Sequence, residues 1–210
     1  MGFSHKNPIL RSQAMQRLGQ FALDWQGQWK DGPPDFERFE HELHEHIMAV
    51  ERELLTKELS RYDVTAKQIE VDGVTYRYTV TSSETYMSAA GQITVTRNLY
   101  RPSGRGSKSI CPLELRTGII GGHWTPRAAR QAAYVMAHLT PGSSERLFDE
   151  LGSIRPSRSS LDRLPKRAVA SLGGPSARVG NRSACSRDGA RGGCRGGHFG
   201  RWRNGAHEGR

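Results

Sequence analysis

Apolar residues along this chain fall into three successive patterns. Residues 35–61 carry Phe36, Phe39, Leu43, Ile47, Val50 and Leu54 at steps of three or four, averaging 3.6. That period predicts one long amphipathic helix, with acids and bases on the other face and Asp35 as its N-cap. Such a stripe ordinarily packs on a core, and a helix-pairing seam is the alternative. A shorter helix is expected before it, carrying Met15, Leu18, Phe21, Ala22 and Trp25 and closed by the breaker Asp31-Gly32-Pro33-Pro34.

The period then changes to two. Ile69 and Val71 precede Asp72-Gly73, after which Val74, Tyr76, Tyr78 and Val80 alternate with polar residues. Asp-Gly between alternating runs signals a tight hairpin. A second pair is expected about Ala90-Gly91, with Tyr86 before it and Ile93, Val95 and Leu99 after it. Three or four antiparallel strands are predicted between residues 67 and 101. The stretch PSGRGSKS that follows reads as a basic loop.

From Thr125 onward the helical period returns in three short pieces. Thr125-Pro126 and Thr140-Pro141 each offer a cap followed by Pro at the first helical position. Gly152 stops the second piece, and Ser157 caps a third, RSSLDRL, that meets Pro165. An internal Pro costs about 3 kcal/mol, so this helix is expected to span two turns or to kink there. The fold class is therefore α+β. The expected layout is a helical region over 1–64, β hairpins and a basic loop over 65–109, a helix-turn-helix-like unit over 110–171, and a disordered Gly/Arg-rich tail over 172–210.

Charge sharpens this layout. The 210 residues hold 31 Lys and Arg against 21 Asp and Glu, a formal +10. Residues 173–210 have eight Arg against Asp188 and Glu208, so they supply +6 of it. The remainder is close to balanced, and its basic residues matter by position. The third helical piece presents Arg155, Ser157, Arg158, Ser159 and Arg163, leaving Leu161 and Leu164 to pack inward. Arg and Ser contact phosphates, and Arg reads guanine edges in the major groove. With Arg127 and Arg130 on the first piece, this set points to double-stranded DNA. A helical packing unit with an Arg-rich exterior is the plainer alternative.

Other chemistries find little support. No apolar run approaches membrane-span or signal-peptide length, so a cytoplasmic location is expected. Cys111, Cys185 and Cys194 are odd in number and form no CxxC pair, which disfavours a disulfide scaffold or closed zinc site. In HELHEH, His41 and His44 stand three apart where HExxH needs four, so no metal site is assigned. The loop glycines lack Walker spacing. No nucleophile or carboxylate set for two-metal chemistry is identifiable, and neither a catalytic residue nor a cofactor is assigned to this chain.

The run LYRPSGRGSKSICPLELRTGIIGGHWTPRAARQAAYVMAHLTP, continuing into LFDELGSIRPSRSSLDRLPK, resembles the N-terminal half of bacterial insertion-sequence transposases of the ISKra group. The likeness extends back through VDGVTYRY and YMSAAGQITVTRNLYR and covers most of residues 65–167. It implies a DDE-type transposase whose N-terminal part binds the element's terminal repeats. A ribonuclease-H-like domain using a divalent metal such as Mg would then cleave and join strands. The catalytic carboxylates of such enzymes map onto no residue of this chain. The implied partners are the terminal repeats, a second copy or a full-length transposase; the implied location is bacterial cytoplasm, on the nucleoid when bound.

The tail supplies a further expectation. Codons permitted by residues 185–210 can encode AREMVPAGAAVAAISVDGVMAPMKG in the +1 frame, and SVDGVM resembles the strand carrying that family's first catalytic Asp. A frameshift near residues 168–172 would thus end the transposase-like sequence and leave an unselected tail. A functional Gly/Arg nucleic-acid-binding segment is the alternative. The encoding DNA decides between them.

Overall fold

The computed structural model describes residues 12–29, 32–102, 108–172 and 179–180. The fold is α+β: helices α1 (Gln13–Gln28) and α2 (Phe36–Ser60), then strands β1 (Gln68–Val71), β2 (Val74–Ser88) and β3 (Gly91–Pro102). Helices α3 (Pro112–Thr117), α4 (Pro126–His138), α5 (Pro141–Leu151) and α6 (Arg158–Leu172) follow, and β4 (Val179–Gly180) closes the order. The sheet runs β3-β2-β1-β4, every pairing antiparallel. Residues 103–107 of the basic loop lie outside the described residues, as does the expected disordered tail except for Leu172 and the two residues of β4.

Asp35 caps α2 as expected, its Oδ1 accepting from the backbone N–H groups of Glu37 and Arg38. The stripe on α2, however, is only partly covered. Phe36 is 68% exposed and Ile47 43%. The reason lies in the neighbours. Helix α1 docks beside the stripe: Phe21 stacks on Phe39 at 5.8 Å between ring centroids and on His46 at 4.7 Å, and Trp25 meets Phe39 at 5.1 Å. The sheet takes the opposite side, through Leu55 and the buried Leu59. Two neighbours on roughly opposed faces leave Phe36 and Ile47 between them.

Glu53 joins the two helices at one end. Its Oε2 accepts the N–H of Ala14 at 2.8 Å, supplementing the Ser12 cap of α1, and Lys57 Nζ lies 2.5 Å from its Oε1. The Lys57 hydrogen bond, then the Ala14 N–H, hold the Glu53 carboxyl below its ordinary range.

Asp72 and Gly73 have φ of 50° and 80°, the double positive pair that a two-residue hairpin turn requires. Three strands lie in the region where three or four were expected, because β2 runs unbroken for 15 residues from the first hairpin into the second. A register shift between Tyr78 and Val80 accommodates an extra residue against β3. Each extra residue reverses the face presented downstream. Val80 therefore does not continue the row of Val74 and Tyr78; all three are more than two-fifths exposed. Beyond the bulge, Tyr86, Ile93 and Val95 pack with Leu59, Cys111 and Leu113. On the other side of it Ile69, Val71 and Tyr100 gather round Val64.

The periodicity of the sequence does not reveal α3. It starts at Pro112, ends on Gly118 in the left-handed region at φ 68°, and buries Leu113 against the sheet. The expected boundary at residue 110 consequently cuts through a shared core. Helix α6 is longer than the two-turn alternative, continuing through Pro165 to Leu172. Pro165 is eighth in the helix, so its missing N–H forfeits one bond to the carbonyl of Leu161 while the buried Leu161 and Leu164 hold the segment in place.

Candidate nucleic-acid interface

Helices α4, α5 and α6 close on one core. Ala128, Ala129 and Ala132 of α4 face Leu161 and Leu164 of α6, with Phe148 and Ile154 completing it and Trp124 and Met87 linking it to the sheet. Three small residues on one face of α4 let α6 approach closely. Leu161 and Leu164 are 0% and 1% exposed, so the inward assignment read from the sequence is met.

The same packing sets what α6 presents outward. Arg158, Ser159, Asp162 and Arg163 are all exposed. At 100° per residue, Ser159 and Arg163 share one line along the helix, as do Arg158 and Asp162. Arg158 and Arg163 thus diverge by about 140° around the axis. They flank a common outward face and do not point along one line.

Ser157 is committed within the protein. Its hydroxyl accepts the Ser160 N–H at 3.3 Å and lies 3.1 Å and 3.0 Å from the hydroxyls of Ser159 and Ser160. The first N–H of α6, on Arg158, donates to Glu145 Oε1 of α5 at 3.0 Å. A carboxylate already sits where a helix N-terminus would attract phosphate. The connection between α5 and α6 covers residues 152–157, longer than the three or four residues of a tight helix-turn-helix.

The other expected residues form a separate group. Arg127 and Arg130 lie three apart on the exposed side of α4, followed by Tyr134, which is 70% exposed and meets His138 edge-on at 4.9 Å. Arg130 and Tyr134 border an apolar groove of about 430 Å³ floored by Val135, Phe148 and Ile154. Arg155 stands instead at a polar cleft of about 570 Å³ with Ser153, Gly91 and Gln92 at the start of β3, and His41, Glu45 and Arg52 of α2. Ser153 borders both depressions. The partnership of Arg155 with α2 escapes sequence reading because more than a hundred positions separate the two.

A second charged group also went unread. Arg97 reaches Glu84 Oε2 at 2.6 Å and Glu114 Oε1 at 3.1 Å, while Tyr86 Oη donates to Glu114 at 2.9 Å. Burial opposes the charge on Arg97, but the bonds to Glu84 and Cys111 and the charge of Glu114 outweigh it and keep the guanidinium protonated. Burial, then Glu114, pushes the Tyr86 hydroxyl well above its ordinary range. Burial likewise raises the Cys111 thiol. Through Arg97–Glu114 and Tyr86–Glu114 this group ties α3 to the sheet.

Among the described residues no three His, Cys, Asp or Glu side chains converge as a metal site. Nor is any described helix long and apolar enough to cross a membrane. No protein-family model, curated protein or solved structure matches the chain.

Proposed function

We propose that this chain is a double-stranded-DNA-binding module of the insertion-sequence transposase type, acting in the bacterial cytoplasm on the element's terminal repeats. The observation that carries the reading is the outward face of α6. Arg158, Ser159 and Arg163 are exposed there on a helix anchored from behind by Leu161 and Leu164. Anchoring the helix fixes those side chains before DNA arrives, which lowers the ordering cost of binding. Arg127 and Arg130 on α4 and Arg155 ahead of α6 add phosphate contacts. The chain is assigned binding, and metal-dependent strand cleavage and joining belong to a separate catalytic domain of the resembled family.

The test is fluorescence anisotropy with terminal-repeat duplex across a salt series. Arg158→Ala with Arg163→Ala should lower affinity at least tenfold at physiological salt and flatten the dependence of log Kd on log salt by about 1 to 2. Unchanged affinity refutes the assignment. A second reading, a module that pairs with another transposase chain through α2, is favoured by the exposure of Phe36 and Ile47. Sedimentation without DNA separates the two: a concentration-dependent dimer abolished by Ile47→Glu supports pairing.

A further inference from the structure

We infer that the polar cleft between α2, the β2–β3 turn and the α5–α6 connection is a phosphate-binding site. Its walls come from three parts of the chain that meet closely. Arg52 Nη1 donates to the Ala90 carbonyl at 3.0 Å, bringing α2 against the turn. Gly91, at φ 103°, lies beside the connection: a Cβ there would be in ordinary contact with the Ser153 carbonyl oxygen, at 3.5 Å, and with Arg52 Nη1, at 3.6 Å. Gly152, at φ 69°, lies beside the His44 ring, where an added Cβ would stand 3.6 Å from its Nε2. Two glycines in the left-handed region thus set the connection against α2 and its turn.

The lining favours an anion. Two guanidiniums, Arg52 and Arg155, face one carboxylate, Glu45, with His41, Gln92 and Ser153 as further polar groups. Among the described residues neither arginine makes an ion pair. Arg52 spends one donor on Ala90 and keeps the rest of its planar fork, the geometry that suits two phosphate oxygens. Guanidiniums held in a concave, partly walled site attract phosphate more strongly than the same charges on an open surface.

The phosphate can come from a DNA backbone or from free phosphate, and position favours DNA. Arg155 is three residues before Arg158, so at most about 11 Å of chain separates the cleft from the outward face of α6. On the DNA-binding reading, a duplex on α6 therefore places a neighbouring phosphate within reach of Arg155 and Arg52. The site then clamps α2 and the sheet turn to the same DNA that α6 engages. The source rests on that reading; the phosphate chemistry of the cleft does not.

The experiment uses the full chain with two probes. Inorganic phosphate is titrated while the amide resonances of Gly91, Gln92 and Ser153 are followed, and terminal-repeat duplex is titrated across a salt series. Arg155→Gln should weaken phosphate binding at least tenfold. Glu45→Gln, which removes the one carboxylate of the lining without touching the walls, should tighten it several-fold. On duplex, Arg155→Gln should flatten the salt dependence by about 1. Phosphate shifts with an unaltered duplex slope support the site and overturn the DNA source. Phosphate shifts in a chain that binds no duplex support the cleft while the DNA-binding reading fails. Phosphate that moves none of these amides, with a duplex slope indifferent to both variants, overturns the proposal.

Discussion

Replacing Leu161 by Ala tests whether α6 is held as described. The side chain is 0% exposed and lies against Ala128, Ala129 and Ala132, with Phe148 and Ile154 beside it. Truncation loses the transfer free energy of three buried carbons and leaves a cavity, costing about 2–5 kcal/mol. The alanine methyls of α4 are too short to swing into the gap, which places the expected loss at about 3–4 kcal/mol. For a chain of this size each kcal/mol moves Tm by about 2–4 °C, so the melt followed by circular dichroism should fall by roughly 10 °C. Anisotropy with duplex DNA adds the functional arm. Measured well below the new Tm, Leu161→Ala should bind within about threefold of the unaltered chain, because it removes no outward group; Arg163→Ala should show the converse, a normal melt with weakened binding. A Tm within 2 °C of the parent would refute the packing of α6 on α4, and with it the argument that its outward face is preset.

Two further outcomes follow from the charged groups. The carboxyl of Glu53 is held below its ordinary value by Lys57 and the Ala14 N–H, so its contribution is fully present above the unfolded pKa, near 4.5, and is lost as pH falls through the lower folded value. Trp25 fluorescence, reporting the docking of α1, should therefore change as the pH falls below the ordinary carboxyl value, and Glu53→Gln should abolish that step; a step of equal size in the variant counts against it. Arg97→Met strands Glu114 beside Tyr86 and should cost about 3 kcal/mol in urea unfolding, at the low end for a buried pair because Glu84 and Glu114 are 39% and 22% exposed. Adding Glu114→Gln should recover part of that loss, and strict additivity of the two substitutions would show that they do not interact.

What the sequence discloses here is local, and what it conceals is which element meets which. Asp35, Thr140 and Ser157 act within a turn of themselves, and all three cap the helices they were expected to open. Asp72-Gly73 turns as its residue types require. The stripe on α2 gave the helix but not its buried side, because period alone does not say that α1 and the sheet arrive on opposed faces. The bulge near Thr79 shows the same limit in a strand, since alternation continues past it while the inward face does not. Helix α3, six residues long, is too short for a period to register.

The candidate site divides along the same line. The outward residues of α6 follow from two neighbouring facts, a cap at Ser157 and leucines at 161 and 164, and so were legible. Pairing Arg155 with Arg52 requires knowing that a hairpin turn and a helix connection pack together, and only two glycines at φ 103° and 69° mark the place. Glycine in a turn is unremarkable in a sequence, whereas here each one lets a backbone approach an α2 side chain. At both positions the space beside the backbone would take a Cβ in ordinary contact, so it is the positive φ that penalises a side chain there. Replacing either would then misplace Arg155 relative to Arg52 while leaving the outward face of α6 unchanged.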